Sequence, residues 1–211
     1  MADWSTIAAL STGAGTLVLA VATFSSVRSS QRSARVAERS LLLGLRPVLI
    51  PSRAEDPPEE VRFGDGRIVT VHGGEAALTE EAGNHYMVIP LRNAGSGLAV
   101  LHAWHVRQPE GPATQNEHAS PEEFRRQQRD LYVPAGDRGF WQGAVRETGD
   151  PFRAPVQGAQ EGADLFVDLL YGDHEGGQRT VSRFVLSPRD GSNRFCGVVR
   201  HWSLDTRGPR T

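Results

Sequence analysis

The chain has 211 residues, is 38% hydrophobic and 23% charged, and carries a formal net charge of −2. That length holds one domain of the usual size, about 50–250 residues, with a short appendage, and the hydrophobic content allows at most one membrane span. The charge balance excludes a strongly basic nucleic-acid binder, whose affinity would rest on neutralising phosphates, so no nucleic-acid partner is expected.

All 23 basic residues are arginine. Arginine stays protonated, forks onto carboxylates and stacks on aromatic rings. Without lysine there is no Schiff-base nucleophile and no P-loop lysine. The arginine bias, with abundant Gly, Ala and Pro, fits a GC-rich bacterial gene. The one cysteine, Cys196, cannot form an internal disulfide. It lies in the strand-like run RFCGVVRHW, where it reads as a small buried hydrophobe.

Residues 5–27, STIAALSTGAGTLVLAVATFSSV, carry no charge over 23 positions. As a helix they would reach roughly 34 Å, against about 30 Å of bilayer hydrocarbon. Ten of the 23 are Ser, Thr or Gly, which narrows the margin for insertion. A helix buried in a soluble core and a cleavable signal peptide are the competing readings. Ala20-Val21-Ala22 fits a cleavage site, but Asp3 precedes the run and Arg28, Arg32, Arg35 and Arg39 come after it, the reverse of a signal's polarity. Residues 1–27 are therefore expected to form a transmembrane segment. Basic residues beside a span stay on the cytoplasmic side, which predicts a single-pass protein of the cell membrane with a cytoplasmic C-terminal domain. Trp4 suits the outer interface. Ala8, Thr12, Thr16 and Ala20 recur every four positions, a small-residue ladder that permits self-association through the span.

Residues 28–45 continue the helical pattern, with Val27, Ala34 and Leu41 seven apart. Gly44 and Pro47 end it. This basic juxtamembrane helix would hold Arg28, Arg32, Arg35 and Arg39 against anionic headgroups.

From 46 to 205 the spacing changes to short runs bounded by Gly, Pro, Asn and Asp. Strands are expected at 46–50, 60–63, 67–72, 85–93, 97–107, 130–134, 138–146, 163–172, 178–187 and 194–203. Loops are expected at 51–60, 73–84 and 147–162. In 163–171, Ala163, Leu165, Val167, Leu169 and Tyr171 share one face and Asp164 and Asp168 the other, a half-buried antiparallel strand. YGDHEGGQRT then reads as a hairpin turn with Gly176 and Gly177 free for positive φ. One helix is signalled: Ser120, Pro121 and Glu123 make a capping box, predicting a helix to about Gln128. Residues 206–211 read as a flexible tail.

The stretches YMVIPLRNAGSGLAVLHAW (86–104) and ADLFVDLLYGDHEGGQRTVSRF (163–184) carry an apolar strand ending in Asn-x-Gly-x-Gly and a later one ending in Tyr-x-Asp-x-x-Gly. With the N-terminal segment, they resemble uncharacterised bacterial single-pass membrane proteins with an immunoglobulin-like domain. The resemblance covers about half the chain. It implies a mainly β fold, an immunoglobulin-like antiparallel β-sandwich preceded by a transmembrane helix with a helical extension, and no chemistry. A small closed barrel is the alternative from strand pattern. Asn93 and Gly95 read as shaping a turn.

Catalytic signatures are weak. His102 and His105 form H-x-x-H on an expected strand, where odd spacing sends them to opposite faces, so no metal site is expected. There is no Gly-x-Ser-x-Gly elbow and no phosphate loop. No cofactor is expected, and an enzyme is less favoured than a binding protein. Trp141, between Gly139 and Gly143, and the arginines Arg125, Arg126 and Arg129 of the expected helix are the candidate interaction surface. The expectation is a membrane-anchored, non-enzymatic interaction module. Its partners would be the lipid bilayer, a cytoplasmic protein the sequence does not identify, and itself through the span. The alternatives are a small-ligand sensor or enzyme with a site in the sandwich loops, and an exported surface-binding domain.

Overall fold

The computed structural model describes residues 3–111, 116–189 and 191–205, without the side chains at 4–14, 16, 18, 39, 42 and 43. The chain divides into two units, Met1–Gly44 and Leu45–Thr211. The first is one continuous helix, α1 (Trp4–Gly44). Within it the side chains of Leu17, Leu19, Val21, Phe24 and Val27 are exposed. Among the described residues no helix is long and apolar enough to cross a membrane. Much of the apolar run at 5–27 lies outside the described side chains, as do Trp4, Arg39 and most of the small-residue ladder. The tail at 206–211 also lies outside the described residues.

The second unit is mainly β, as expected. Its strands are β1 (Leu49–Pro51), β2 (Glu59–Arg62), β3 (Ile68–Val71), β4 (Glu75–Glu81), β5 (Asn84–Asn93), β6 (Ala99–Arg107), β7 (Arg125–Val133), β8 (Arg138–Val145), β9 (Leu165–Gly172), β10 (Thr180–Pro188) and β11 (Asn193–Ser203). Nine of them share one antiparallel sheet in the order β1-β5-β4-β11-β10-β9-β6-β7, with β8 also paired to β5. β2 and β3 form a separate hairpin. The class is sandwich-like, but the pairing traces one continuous curled path, a half-barrel. Among the described residues β7 pairs only with β6 and β8 only with β5. They are consecutive in the chain and face each other, so the curl ends in an open seam between them.

Strand alternation places the core. Leu165, Val167, Leu169 and Tyr171 of β9 join Met87, Ile89 and Leu91 of β5, and Trp104, Val106, Leu131, Val133 and Trp141, in one buried cluster. This inner face obeys the period-2 rule that the sequence displays. A helix that the sequence does not signal, α2 (Arg153–Gln160), adds Val156 and Ala159 to the same cluster. Buried Arg194 donates to the Ala159 carbonyl at 2.8 Å, capping the end of that helix.

The outer faces are covered as well. The β2–β3 hairpin lays Val61, Phe63, Val69 and Val71 on Ala77, Tyr86 and Val88. A segment ending in Phe124 covers Ala103 and Val181, with Leu170, Trp202 and Leu204 around them. The second face of β9 is therefore not solvated: Asp168 is 1% exposed and paired with Arg183.

Two elements differ from expectation for local reasons. The capping box forms, with Glu123 accepting from the Ser120 amide at 2.7 Å, but it starts only a single 3-10 turn, Pro121–Glu123. Phe124 is then buried in an extended conformation and Arg125–Val133 is a strand, not a helix. Residues 75–81 are a strand rather than a loop, joined to β5 by a two-residue turn in which Ala82 (φ 49°) and Gly83 (φ 76°) both take positive φ. That is the backbone a tight hairpin needs.

The Asn-x-Gly-x-Gly motif does more than turn the chain. Asn93 is fully buried. Its Oδ1 accepts from the Val48 and Gly95 amides at 3.1 and 3.0 Å, and its Nδ2 donates to the Gly97 and Val133 carbonyls at 2.6 and 3.0 Å. A Cβ on Gly97 would sit 1.7 Å from the Leu45 carbonyl oxygen, and one on Gly95 2.2 Å from that of Arg46. The motif clamps residues 45–48, where the chain enters the β domain.

Candidate functional site

A wide concavity lies at the seam. β7 and β8 meet near the turn at 134–137, where Gly139 packs on Val133, and diverge toward Arg125 and Arg146. The space between them is a cleft of about 1230 Å³. Its walls come from β7 (Arg125 to Arg129), β8 (Gln142 to Ala144), the β2–β3 turn (Arg62 to Asp65) and residues 146–151. Trp104 also lines it.

The sequence of β7 explains why the cleft is polar. Leu131 and Val133 lie in the core, paired with Leu101 and Ala99, whereas beyond a register shift Arg125 pairs with Trp104, Arg125 and Gln127 are half-buried and Arg129 is exposed. The strand therefore changes from apolar to charged halfway along. Leucine and valine close the curl at one end. Three long polar side chains cannot be buried together at the other, and the seam stays open there.

Charge in the cleft is unbalanced. It is lined by five arginines, Arg62, Arg125, Arg126, Arg129 and Arg146, against three carboxylates, Asp65, Glu147 and Asp150. Two of those acids are engaged. Arg125 binds Asp150 at 2.6 Å and stacks over the rings of Trp104 and Phe152, 5.0 and 4.6 Å from their centroids. Arg146 binds Asp65 at 2.9 Å, and Asp65 also accepts from the Tyr86 hydroxyl at 2.8 Å. Burial disfavours the charged form of both acids. The donors outweigh it, and both pKa values lie below the usual carboxylate range. The same carboxylate, with burial as the larger cause, raises the Tyr86 phenol. Arg62, Arg126 and Arg129 have no carboxylate within ion-pair distance among the described residues.

Among the described residues two side-chain oxygens in the cleft are unsatisfied. Gln142 is only 9% exposed and its side-chain oxygen has no hydrogen-bond partner. The side-chain oxygen of Gln127, on the facing strand, is also buried without one. The Gln127 amide nitrogen reaches across the seam to the Gln142 carbonyl at 3.1 Å. A buried acceptor left open costs free energy unless a ligand or water supplies a donor.

The candidate residues of the sequence thus divide. Arg125, Arg126 and Arg129 come together in the cleft, on a strand rather than the expected helix. Trp141 does not belong to an interaction surface: it is fully buried, its ring edge-on to Trp104 at 5.4 Å between centroids. Gly143 makes room for it, since a Cβ there would lie 2.6 Å from the ring. Arg28, Arg32 and Arg35 are exposed on α1, and the Arg39 side chain lies outside the described residues. Gln127, Gln142, Arg62 and Arg146 join the site without having been singled out by the sequence. The change from polar to apolar residues along 125–133 could have found Gln127.

The histidines do not assemble into a site. A β-bulge between Leu101 and Ala103 interrupts β6 at His102, so simple alternation no longer relates it to His105. Burial lowers the pKa of both. Among the described residues no group of three His, Cys, Asp or Glu side chains could hold a metal ion. Comparison with family models, with curated proteins and with solved structures finds no match to this chain.

Proposed function

We propose that this chain is a membrane-anchored, non-enzymatic interaction module that presents its β domain to a cytoplasmic protein partner. The observation that carries the reading is the seam cleft, a wide concavity with uncompensated arginines and an open, buried acceptor at Gln142. Such a site is complementary to a ligand that brings negative charge and hydrogen-bond donors together.

Anchoring rests on α1. A run of 23 uncharged residues ends at four arginines within 12 positions, Arg28 to Arg39, and Leu17, Leu19, Val21 and Phe24 are exposed. Exposed apolar side chains of this kind need lipid or a second copy to cover them. The arginine flank favours a cytoplasmic domain, with Arg28, Arg32, Arg35 and Arg39 at the headgroups. The finer fold assignment, an immunoglobulin-like sandwich of the kind found in uncharacterised bacterial single-pass proteins, is supported by the antiparallel pairing and by the Asn93 and Tyr171 motifs, and belongs to this proposal.

The test is carbonate washing of membranes, with protease treatment of spheroplasts and inverted vesicles carrying a C-terminally tagged chain. Anchoring with a cytoplasmic domain predicts carbonate resistance and cleavage only in inverted vesicles. Carbonate release would remove the anchor, and cleavage in spheroplasts would reverse the orientation.

A further inference from the structure

We infer that the seam cleft binds an acidic peptide segment in extended form, added as a strand between β7 and β8. This deepens the reading of the domain as an interaction module and rests on it.

Three independent features select this occupant. First, β7 and β8 are both edge strands on the sides that face the cleft: each has one ladder partner, on the far side. Backbone N–H and C=O groups of an unpaired edge are a template for another strand. Second, the charge excess is arginine, and Arg62, Arg126 and Arg129 have no carboxylate partner among the described residues. Carboxylate side chains answer that charge, and the guanidinium fork binds them bidentately. Third, the open groups at Gln127 and Gln142 are acceptors. A peptide supplies N–H donors and carboxylates together. Inorganic phosphate offers little of the first, and an anionic bilayer is too broad to enter a cleft between two strands.

The state of β7 also suits a strand. Arg125 and Gln127 are half-buried, Arg126 and Arg129 are exposed, and the ladder to β6 skips 127–130. An inserted strand with acids at alternate positions would set them against these arginines, with its other side chains on the opposite face. The cross-seam hydrogen bond from Gln127 to the Gln142 carbonyl would be exchanged for main-chain bonds.

The test uses the full chain in detergent and a fluorescein-labelled decapeptide alternating Glu and Val. Fluorescence anisotropy is read alongside hydrogen exchange at 126–130 and 142–145. Saturable binding is expected, weakened by salt, with Kd raised at least tenfold by Arg126→Glu or Arg129→Glu. Both residues are exposed, so neither variant threatens the fold. Slower exchange is expected along both edges. The same peptide N-methylated at alternate amides keeps its charge but cannot pair, and should bind at least tenfold more weakly. Equal binding of the methylated peptide, or of a Lys-Val peptide, would overturn strand addition. So would the absence of binding, or binding unchanged in the arginine variants. Displacement by an RNA oligomer or anionic vesicles at lower concentration than the unlabelled peptide would assign the cleft to another polyanion and overturn the inference. The membrane fractionation is independent of all these outcomes, so a failed peptide and a failed anchor are told apart.

Discussion

Arg183 and Asp168 face each other across β10 and β9 in a two-pronged ion pair, Nε to Oδ1 at 2.7 Å and a terminal nitrogen to Oδ2 at 2.6 Å, with neither side chain more than 1% exposed. The guanidinium also donates to the Glu117 carbonyl at 2.9 Å and lies between the rings of Phe166 and Trp202, 4.9 Å from each centroid. The pair fastens the segment at Glu117 over the outer face of the sheet. Removing one partner leaves the other charge buried. Asp168→Asn or Arg183→Leu is expected to cost about 3–5 kcal/mol. The double variant Asp168→Leu/Arg183→Met should recover much of that loss, because no lone charge remains. Urea unfolding monitored by tryptophan fluorescence checks this. A double variant as unstable as the two single losses added together would show that the pair does not act as a unit.

Asn93 satisfies four backbone groups with one buried side chain. Asn93→Leu keeps the volume and orphans all four. Each open buried group costs about 1–3 kcal/mol, so the variant is expected to lose more than about 4 kcal/mol or fail to fold. Gly97→Ala tests the same clamp from the other side, since its Cβ would collide with the Leu45 carbonyl at 1.7 Å. It should speed exchange of the Val48 amide, which Asn93 holds, while leaving amides of β9 and β10 protected. Uniform loss of protection across the domain would mean that the clamp is part of the global core.

Periodicity decided how much of the fold was legible in the sequence. β9 and β5 were legible because apolar residues recur at every second position on their inner faces, although their outer faces proved to be covered as well. The hairpin after β9 was legible too, although the positive φ falls on Gly176 (80°) and Gln178 (47°) rather than on Gly177. β4 was not, because its residues EAALTEE include two alanines and three glutamates, poor strand formers in isolation. Its place is fixed by pairing with β5 and β11. The stretch RAPVQGAQ hides α2 because Pro and Gly interrupt it and only Val156 and Ala159 are buried. The helix expected after Ser120 does not form because a capping box fixes only a first turn. Beyond that turn, burial of Phe124 and pairing with the free edge of β6 draw the chain into a strand. Of the candidate site, the arginines were visible as a cluster. Their partners were not: Arg62 arrives from β2, far away in sequence, and Gln142 and Arg146, on and just after the neighbouring β8, are isolated polar residues with no local pattern to mark them.

The cleft should report its own pH dependence. Asp150 is held below its ordinary pKa: burial works against the charge, but Arg125 and the Phe152 amide outweigh it. A carboxylate lowered in the folded state stabilises the fold above the unfolded pKa, about 3.9. That contribution is lost as pH falls through the lower, folded value. Asp150→Asn is expected to cost about 1–3 kcal/mol at pH 7 and to flatten the acid limb of stability below about pH 4. Urea midpoints between pH 7 and pH 2.5 measure both. An unchanged acid slope would place the sensitivity elsewhere, with Asp65, lowered through Arg146 and Tyr86 against the effect of burial, as the next carboxylate to test.

Cys196 gives a readout of opening without any substitution. It lies on β11, 5% exposed and in contact with the main core. Burial pushes its thiol pKa up to about 12, so at pH 8 almost none is thiolate, and the thiolate is the reactive form. The folded protein should therefore react with maleimide only through opening of β11 from β10 and β4. Labelling is expected to track the urea unfolding curve, to be slow in native buffer and to become fast near the midpoint. Tight binding of a strand in the seam should leave this rate unchanged if β11 opens locally, and lower it if opening requires the whole curl to unfold. The comparison of labelling rates with and without the Glu-Val peptide decides which motion exposes the sulfur. Immediate stoichiometric labelling of the native protein would contradict the burial of Cys196 and the packing of β11 with it.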